Sequence, residues 1–142
     1  MTQARLAALH NAASRNSFWR FLGIELAEAG DGWARLRLRV RDEICQAPGA
    51  VVHGGVYPAL VDAAVGSALM TVGEGSEGRV GQATVDLNVS LLRPVTSGYL
   101  HAEGRVLRRG RAVGFGDVTI TDDKGQLVAV GRATYLFPRR GE

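Results

Sequence analysis

The stretch that decides the fold is VVHGGVYPALVDAAVGSALM, residues 51–70. From Val56 to Met70 nearly every residue is apolar or small, and the exception is a carboxylate, Asp62. A helix that is apolar all round is buried all round, so this segment predicts a long helix enclosed by the rest of the chain. Gly54 and Gly55 precede it. Pro58 falls in its first turn, where a missing N–H is tolerated. Gly73, Gly75 and Gly78 end it in a flexible loop.

An unpaired carboxylate is costly to bury, so Asp62 is solvated, paired or used. Either it lies on an exposed stripe of the helix or it serves a function. Its neighbours Ala59, Val61, Ala63, Val65 and Gly66 leave no polar stripe for it to join. The glycines ahead of the helix also have two readings. Amide N–H groups at a helix start are unpaired, with the helix dipole behind them, and glycine lets another group come close. Gly54-Gly55 is thus either a plain tight turn or a cradle for an anion or a developing oxyanion.

Working outward, WARLRLRVR at residues 33–41 alternates Leu36, Leu38 and Val40 with Arg35, Arg37, Arg39 and Arg41, the period of a half-buried strand. Gly30-Asp31-Gly32 joins it to GIELAEAG as a hairpin. Residues 2–22 read as a short helical segment, with Leu6, Leu9 and Ala13 at helical spacing and Asn16 or Ser17 as the cap of a second turn. DEICQAPGAVV is a loop. Downstream, residues 82–92 alternate, with Ala83, Val85, Leu87, Val89 and Leu91 on one face and Gln82, Thr84, Asp86, Asn88 and Ser90 on the other. Strands over 98–108, 111–121 and 126–137 follow, broken by the turns RRGR and DDKG, and short links imply an antiparallel meander. One buried helix and about six strands make an α+β fold of two layers in a single domain, 1–142.

The bulk numbers agree with a globular domain. The chain has 142 residues, 46% hydrophobic and 22% charged, enough apolar material for a core. Its one cysteine, Cys45, cannot form an internal disulfide, which fits a reducing cytoplasm. The N-terminus lacks a signal-peptide pattern and no window is apolar enough for a membrane span. The net charge of +3 suits a small anionic ligand, and no nucleic-acid-binding motif is present.

HGGVYPALVDAAVG resembles the hotdog-fold acyl-CoA thioesterases, in particular the phenylacetate-degradation (PaaI-like) group, in which Asp follows the His of His-Gly-Gly by nine residues, as Asp62 follows His53. TVDLNVSLLRP, GRVLRRGR, GQLVAVGRATYLF and the opening FLGIELAEAGDGWARLRLRV are similar to the same family, so the resemblance covers roughly residues 18–137. It implies a sheet wrapped around the helix and two chains pairing their sheets, often as a dimer of dimers, with active sites at the dimer interface. It further implies that the Gly54 N–H polarises the thioester carbonyl, and that Asp62 from the partner attacks or activates water. Thr84 stands where some relatives place a Ser or Thr that assists the water. Coenzyme A is part of the substrate, and no metal or other cofactor is implied. Where some relatives carry an Asn, this chain has Ala47, with Gln46 beside it as a substitute.

The remaining residues have bland readings beside the functional ones. His53 is either a base or, by the preferred reading, the residue that orients the loop or the Gly54 amide through a hydrogen bond. Gly55 belongs to the same cradle. Arg93, Arg108, Arg109 and Arg111 are candidates for the phosphates of coenzyme A, against the reading of a solvated hairpin tip. Asn88 and Asp86 reach the site or tie down the interface. Trp19, Phe21 and Trp33 line an acyl pocket or pack in the core. His10 and His101 read as surface residues and Cys45 as a packed thiol.

Overall fold

A computed structural model describes residues 1–73 and 81–138, and Gly75 and Gly78 lie outside the described residues. Two helices open the chain, α1 (Gln3–Arg15) and α2 (Ser17–Leu22), each with a polar N-cap: Thr2 Oγ1 accepts from Arg5 N–H and Asn16 Oδ1 from Trp19 N–H. Gly23 ends α2 at φ +89°, a left-handed turn that glycine adopts without strain. The chain then forms the hairpin β1 (Ile24–Gly30) and β2 (Trp33–Arg39), a loop, and α3 (Val56–Met70). Four strands complete it: β3 (Ala83–Leu91), β4 (Tyr99–Arg109), β5 (Val113–Thr121) and β6 (Leu127–Leu136).

The six strands make one antiparallel sheet in the order β1-β2-β4-β5-β6-β3, and α3 packs across its inner face. Eleven of the 15 residues of α3 are buried, Leu60, Val61, Val65 and Leu69 among them. This is the hotdog arrangement, and its tightness is visible where glycines face the helix. A Cβ at Gly131 on β6 would lie 2.6 Å from Val61, and one at Gly116 on β5 would lie 2.8 Å from Val65. Side chains there would push the helix off the sheet.

Two expectations need correction. Only β4, β5 and β6 form a meander; β3 does not pair with β4 but lies beyond β6, as an edge strand. Nor does β3 keep the strict alternation its sequence shows. A bulge between Thr84 and Asp86 inserts one residue, so that Thr84 pairs with Tyr135 and Leu87 with Ala133, all on the helix side. Ala83 and Val85 therefore do not form one buried face with Leu87, Val89 and Leu91. Of the whole strand only Val89 is partly covered in the single chain.

The far end of α3 is fastened by two arginines. Arg5 of α1 donates to the carbonyls of Thr71 and Gly73, and Arg109 of β4 donates to Leu69 O at 3.1 Å while stacking 3.7 Å over the Phe137 ring. Cations at a helix C-terminus meet its exposed carbonyls and the negative end of its dipole. Burial, reinforced by nearby Arg5, holds the Arg109 guanidinium below its ordinary pKa.

Candidate active site

Asp62 is half-buried on α3 and faces a cavity of about 250 Å³ between α1, α2, α3 and the sheet. Its Oδ1 accepts two short hydrogen bonds, from Thr84 Oγ1 at 2.5 Å and from Tyr135 Oη at 2.6 Å. The Tyr135 hydroxyl also lies 2.7 Å from the Asp62 main-chain carbonyl, and its single proton serves one oxygen at a time. Burial, with Asp62 adding to it, pushes the Tyr135 phenol well above its ordinary pKa. It therefore stays protonated and remains a donor. Among the described residues nothing bonds Asp62 Oδ2, so one oxygen of the carboxylate is held and the other is available.

Glycine at position 66 makes this geometry possible. A Cβ there would stand 2.7 Å from Tyr135 Oη and 3.1 Å from Gln82 Nε2. Gln82 instead donates to Gly66 O at 2.9 Å, which ties the start of β3 to the helix. A strictly alternating β3 would turn Thr84 to the outer face, and the bulge brings it inward.

The second group lies at the other end of α3. His53 Nδ1 accepts from Gly55 N–H at 2.9 Å, and Val56 N–H bonds His53 O at 3.0 Å. His53 thus shapes the turn through Gly55 and not through the Gly54 amide. The Gly55 N–H is committed, whereas Gly54 N–H has no partner among the described residues. Gly54 opens on a cavity of about 340 Å³ that Gln46, Tyr57, Leu91 and Arg93 also line. Gln46 and Arg93 thus share this cavity with Gly54, although Arg93 Nη1 also donates to Leu127 O at 3.0 Å.

Other candidates lie apart from both groups. Asn88 pairs with Arg132 on the outer face of the sheet, away from Asp62, beside a polar cavity that includes Asp117 and Thr119. Arg108 and Arg111 are exposed near the β4–β5 turn, at the end of α3 opposite Gly54, and Arg109 is engaged as described. Trp19 lines the Asp62 cavity, while Phe21 is 77% exposed and Trp33 packs against Gly30. His101 pairs with Asp123 at 2.8 Å on the surface, and Cys45 packs beside the core. Among the described residues no cluster of His, Cys, Asp and Glu could hold a metal, and no helix is long and apolar enough to cross a membrane. Tyr135, which holds Asp62, is the residue of this cluster that no motif in the sequence marks. It lies within GRATYLF, and its one visible signal is a polar-tipped aromatic on an otherwise apolar inward register.

Comparison with known proteins gives a consistent picture. Residues 49–129 match the thioesterase superfamily model. A Mycobacterium tuberculosis protein assigned as an esterase is 37% identical over 112 residues, which cover 78% of this chain and 79% of the relative. The crystal structure of a Haemophilus influenzae thioesterase superposes with TM-score 0.81 at 28% identity, covering 96% of this chain and 92% of that one. The Escherichia coli PaaI protein, from the phenylacetic acid degradation operon, shares the fold with TM-score 0.83 at 20% identity, over 96% and 94% of the two chains.

Proposed function

The chain belongs to the thioesterase superfamily, and on that premise we propose that it hydrolyses an acyl-CoA thioester to a carboxylic acid and free CoA, in a site shared by two copies of the chain. The observation that carries this reading is the separation of the two reactive groups. Asp62 lies in the second turn of α3 and Gly54 lies before its first residue, Val56. They open on different cavities. One carbonyl cannot lie against both within a single chain.

Strand β3 supplies the means of joining them. It is an open edge with Val85, Leu87 and Leu91 exposed. Its Thr84 end lies at Asp62 and its Leu91 end at Gly54. Antiparallel pairing of β3 with its own two-fold copy sets the Thr84 end of one strand beside the Leu91 end of the other. Asp62 of one chain then faces Gly54 of its partner, twice over.

In such a site the Gly54 N–H, backed by the dipole of α3, stabilises the negative charge that gathers on the carbonyl oxygen. Comparable donors contribute about 3–4 kcal/mol to the transition state. Asp62, with Oδ1 fixed by Thr84 and Tyr135, presents Oδ2 for one of two routes. It takes a proton from an attacking water, or it attacks the carbonyl carbon and forms an anhydride that water then cleaves. Either way the C–S bond breaks and the CoA thiolate leaves. Arg93, which lines the Gly54 cavity, supports this reading as a cation for the phosphates of CoA. The single cysteine fits a cytoplasmic protein.

The test is release of free thiol from a panel of aromatic and aliphatic acyl-CoAs by wild type and Asp62→Asn. Turnover by wild type, with a loss of about two orders of magnitude or more in the folded variant, supports the reading. Binding of CoA esters without hydrolysis by either protein replaces it with a carrier or sensor role. A single turnover in ¹⁸O-water separates the two routes, since label enters Asp62 only if the carboxylate attacks.

A further inference from the structure

The Gly54 cavity holds a hydroxyl that the proposed chemistry does not use. Tyr57, the second residue of α3, is 3% exposed and belongs to the main apolar cluster. Its Oη makes no hydrogen bond among the described residues. The fully sealed side-chain polar atom without a partner among them is Arg5 Nε, so the small exposure of Tyr57 includes its hydroxyl. The cavity that Tyr57 lines is the one on which Gly54 opens. Burial, with Cys45 adding to it, pushes the Tyr57 phenol above its ordinary pKa. It therefore stays protonated near neutral pH and is a donor without an acceptor.

Its place on the helix brings that hydroxyl to the Gly54 end. A helical side chain leans toward the N-terminus and covers the turn before its own Cα. For Tyr57 that turn begins at Gly54, since Gly55 is already helical at φ −67° and ψ −17° and Val56 N–H bonds His53 O. Two unpaired donors, Gly54 N–H and Tyr57 Oη, thus open on one cavity of about 340 Å³. Two further polar side chains line it. Arg93 is a cation that already donates to Leu127 O. Gln46 is exposed, and among the described residues no hydrogen bond holds its amide. A donor stabilises developing charge best when its position is set beforehand. Packing fixes the Tyr57 ring, whereas Gln46 must first give up side-chain freedom.

We propose that Tyr57 Oη is the second hydrogen-bond donor to the carbonyl oxygen of the substrate, beside Gly54 N–H, and fills the role for which this chain has Ala47 and not Asn. The inference rests on the thioesterase reading. A substrate that fills the cavity expels the solvent that serves the hydroxyl in the free protein, so it must itself supply an acceptor or leave a buried polar group unpaired. The carbonyl oxygen is that acceptor. As the nucleophile adds, the π electrons of the C=O bond move onto the oxygen, where both donors meet the charge. The electrons return as the C–S bond breaks, and the proton stays on Tyr57 throughout.

The experiment compares wild type, Tyr57→Phe and Gln46→Ala on the best acyl-CoA of the panel. Phenylalanine keeps the ring and removes only the hydroxyl, and circular dichroism checks that each variant is folded. Tyr57→Phe is expected to lower kcat/KM by about tenfold or more, a larger loss than that of Gln46→Ala. A spectroscopic readout separates contact with the carbonyl from an effect on packing. The same acyl-CoA, labelled with ¹³C at its carbonyl, is bound to the slow variant Asp62→Asn. Its infrared C=O stretch moves to higher frequency when Tyr57→Phe is added, because a donor to the oxygen has been lost. A rate within about twofold of wild type in Tyr57→Phe, or an unmoved carbonyl band, overturns the role of Tyr57 while hydrolysis by wild type leaves the thioesterase reading standing. A larger loss in Gln46→Ala than in Tyr57→Phe overturns it likewise and gives the second donor to Gln46. Failure of wild type to cleave any acyl-CoA overturns the thioesterase reading and the Tyr57 role with it.

Discussion

The carboxylate of Asp62 is prepared by residues distant from it in sequence. Thr84 is 22 residues away and Tyr135 is 73. A hydrogen bond to a charged group contributes about 1.5–3 kcal/mol, so Tyr135→Phe is expected to lower kcat by about tenfold or more with little change in KM, as steady-state kinetics on the best substrate would show. An equal effect on both parameters would mean that the hydroxyl touches substrate. Asp62 itself was legible in the sequence because a lone charge in an apolar helix is costly and therefore conspicuous. So was the Gly54 amide, since a helix start carries unpaired donors whatever surrounds it. The orientation of Thr84 was not legible, because alternation assigns faces only until a bulge intervenes, and nothing in ATVDLNV marks the extra residue. The role of Tyr135 depends on a meeting between β6 and α3 that no local pattern encodes.

Among the described elements, the sequence identified the α-helices and strands, missed a 3-10 turn at Asp42–Ile44 within the loop, and misplaced β3. Its pairing with β6 is a long-range choice, and its apolar residues look like a core face when they belong to an edge. That edge carries a prediction. Leu87→Lys places a charge near the middle of β3, and edge lysines oppose strand pairing. The variant is expected to sediment as a smaller species than wild type in analytical ultracentrifugation and to lose hydrolysis in parallel. A second prediction belongs to the β2–β4 pair, where Glu103 accepts from Arg35 at 2.7 Å and contacts Arg105. The hydrogen bond from Arg35, helped by Arg105 and opposed by burial, holds the Glu103 carboxyl below its ordinary pKa. Its contribution is thus present above the unfolded value of about 4.3 and is lost as pH falls through the depressed folded value. Because Arg35 and Arg105 are 40% and 63% exposed, the contribution is discounted to about 1 kcal/mol. Glu103→Gln is expected to be less stable than wild type by that amount near pH 7 in urea titrations, with the gap closing as both are taken below pH 4 or so.

For the molecule as a whole, the enclosed helix was legible from the quoted stretch, while the fastening of its far end was not: Arg5 belongs to no motif, and Arg109 lies in GRVLRRGR, where it read as a candidate for phosphate and not as a helix cap. Arg109→Ala removes the bond to Leu69 O and the stacking on Phe137, each of order 1 kcal/mol or somewhat more. A fall in melting temperature of about 4–8 °C is expected from calorimetry. A fall of under one degree would return Arg109 to the surface arginines available for phosphate. The sheet order has one more consequence, which concerns synthesis. Strand β3 is bonded to β6 alone, with 35 residues between Leu91 and Leu127. A chain still on the ribosome therefore holds β3 without a neighbour until β6 has emerged, and Tyr135 emerges with it. The seating of β3 at the sheet edge and the anchoring of the Asp62 carboxylate come into being in the same late event, so a partly made chain has neither.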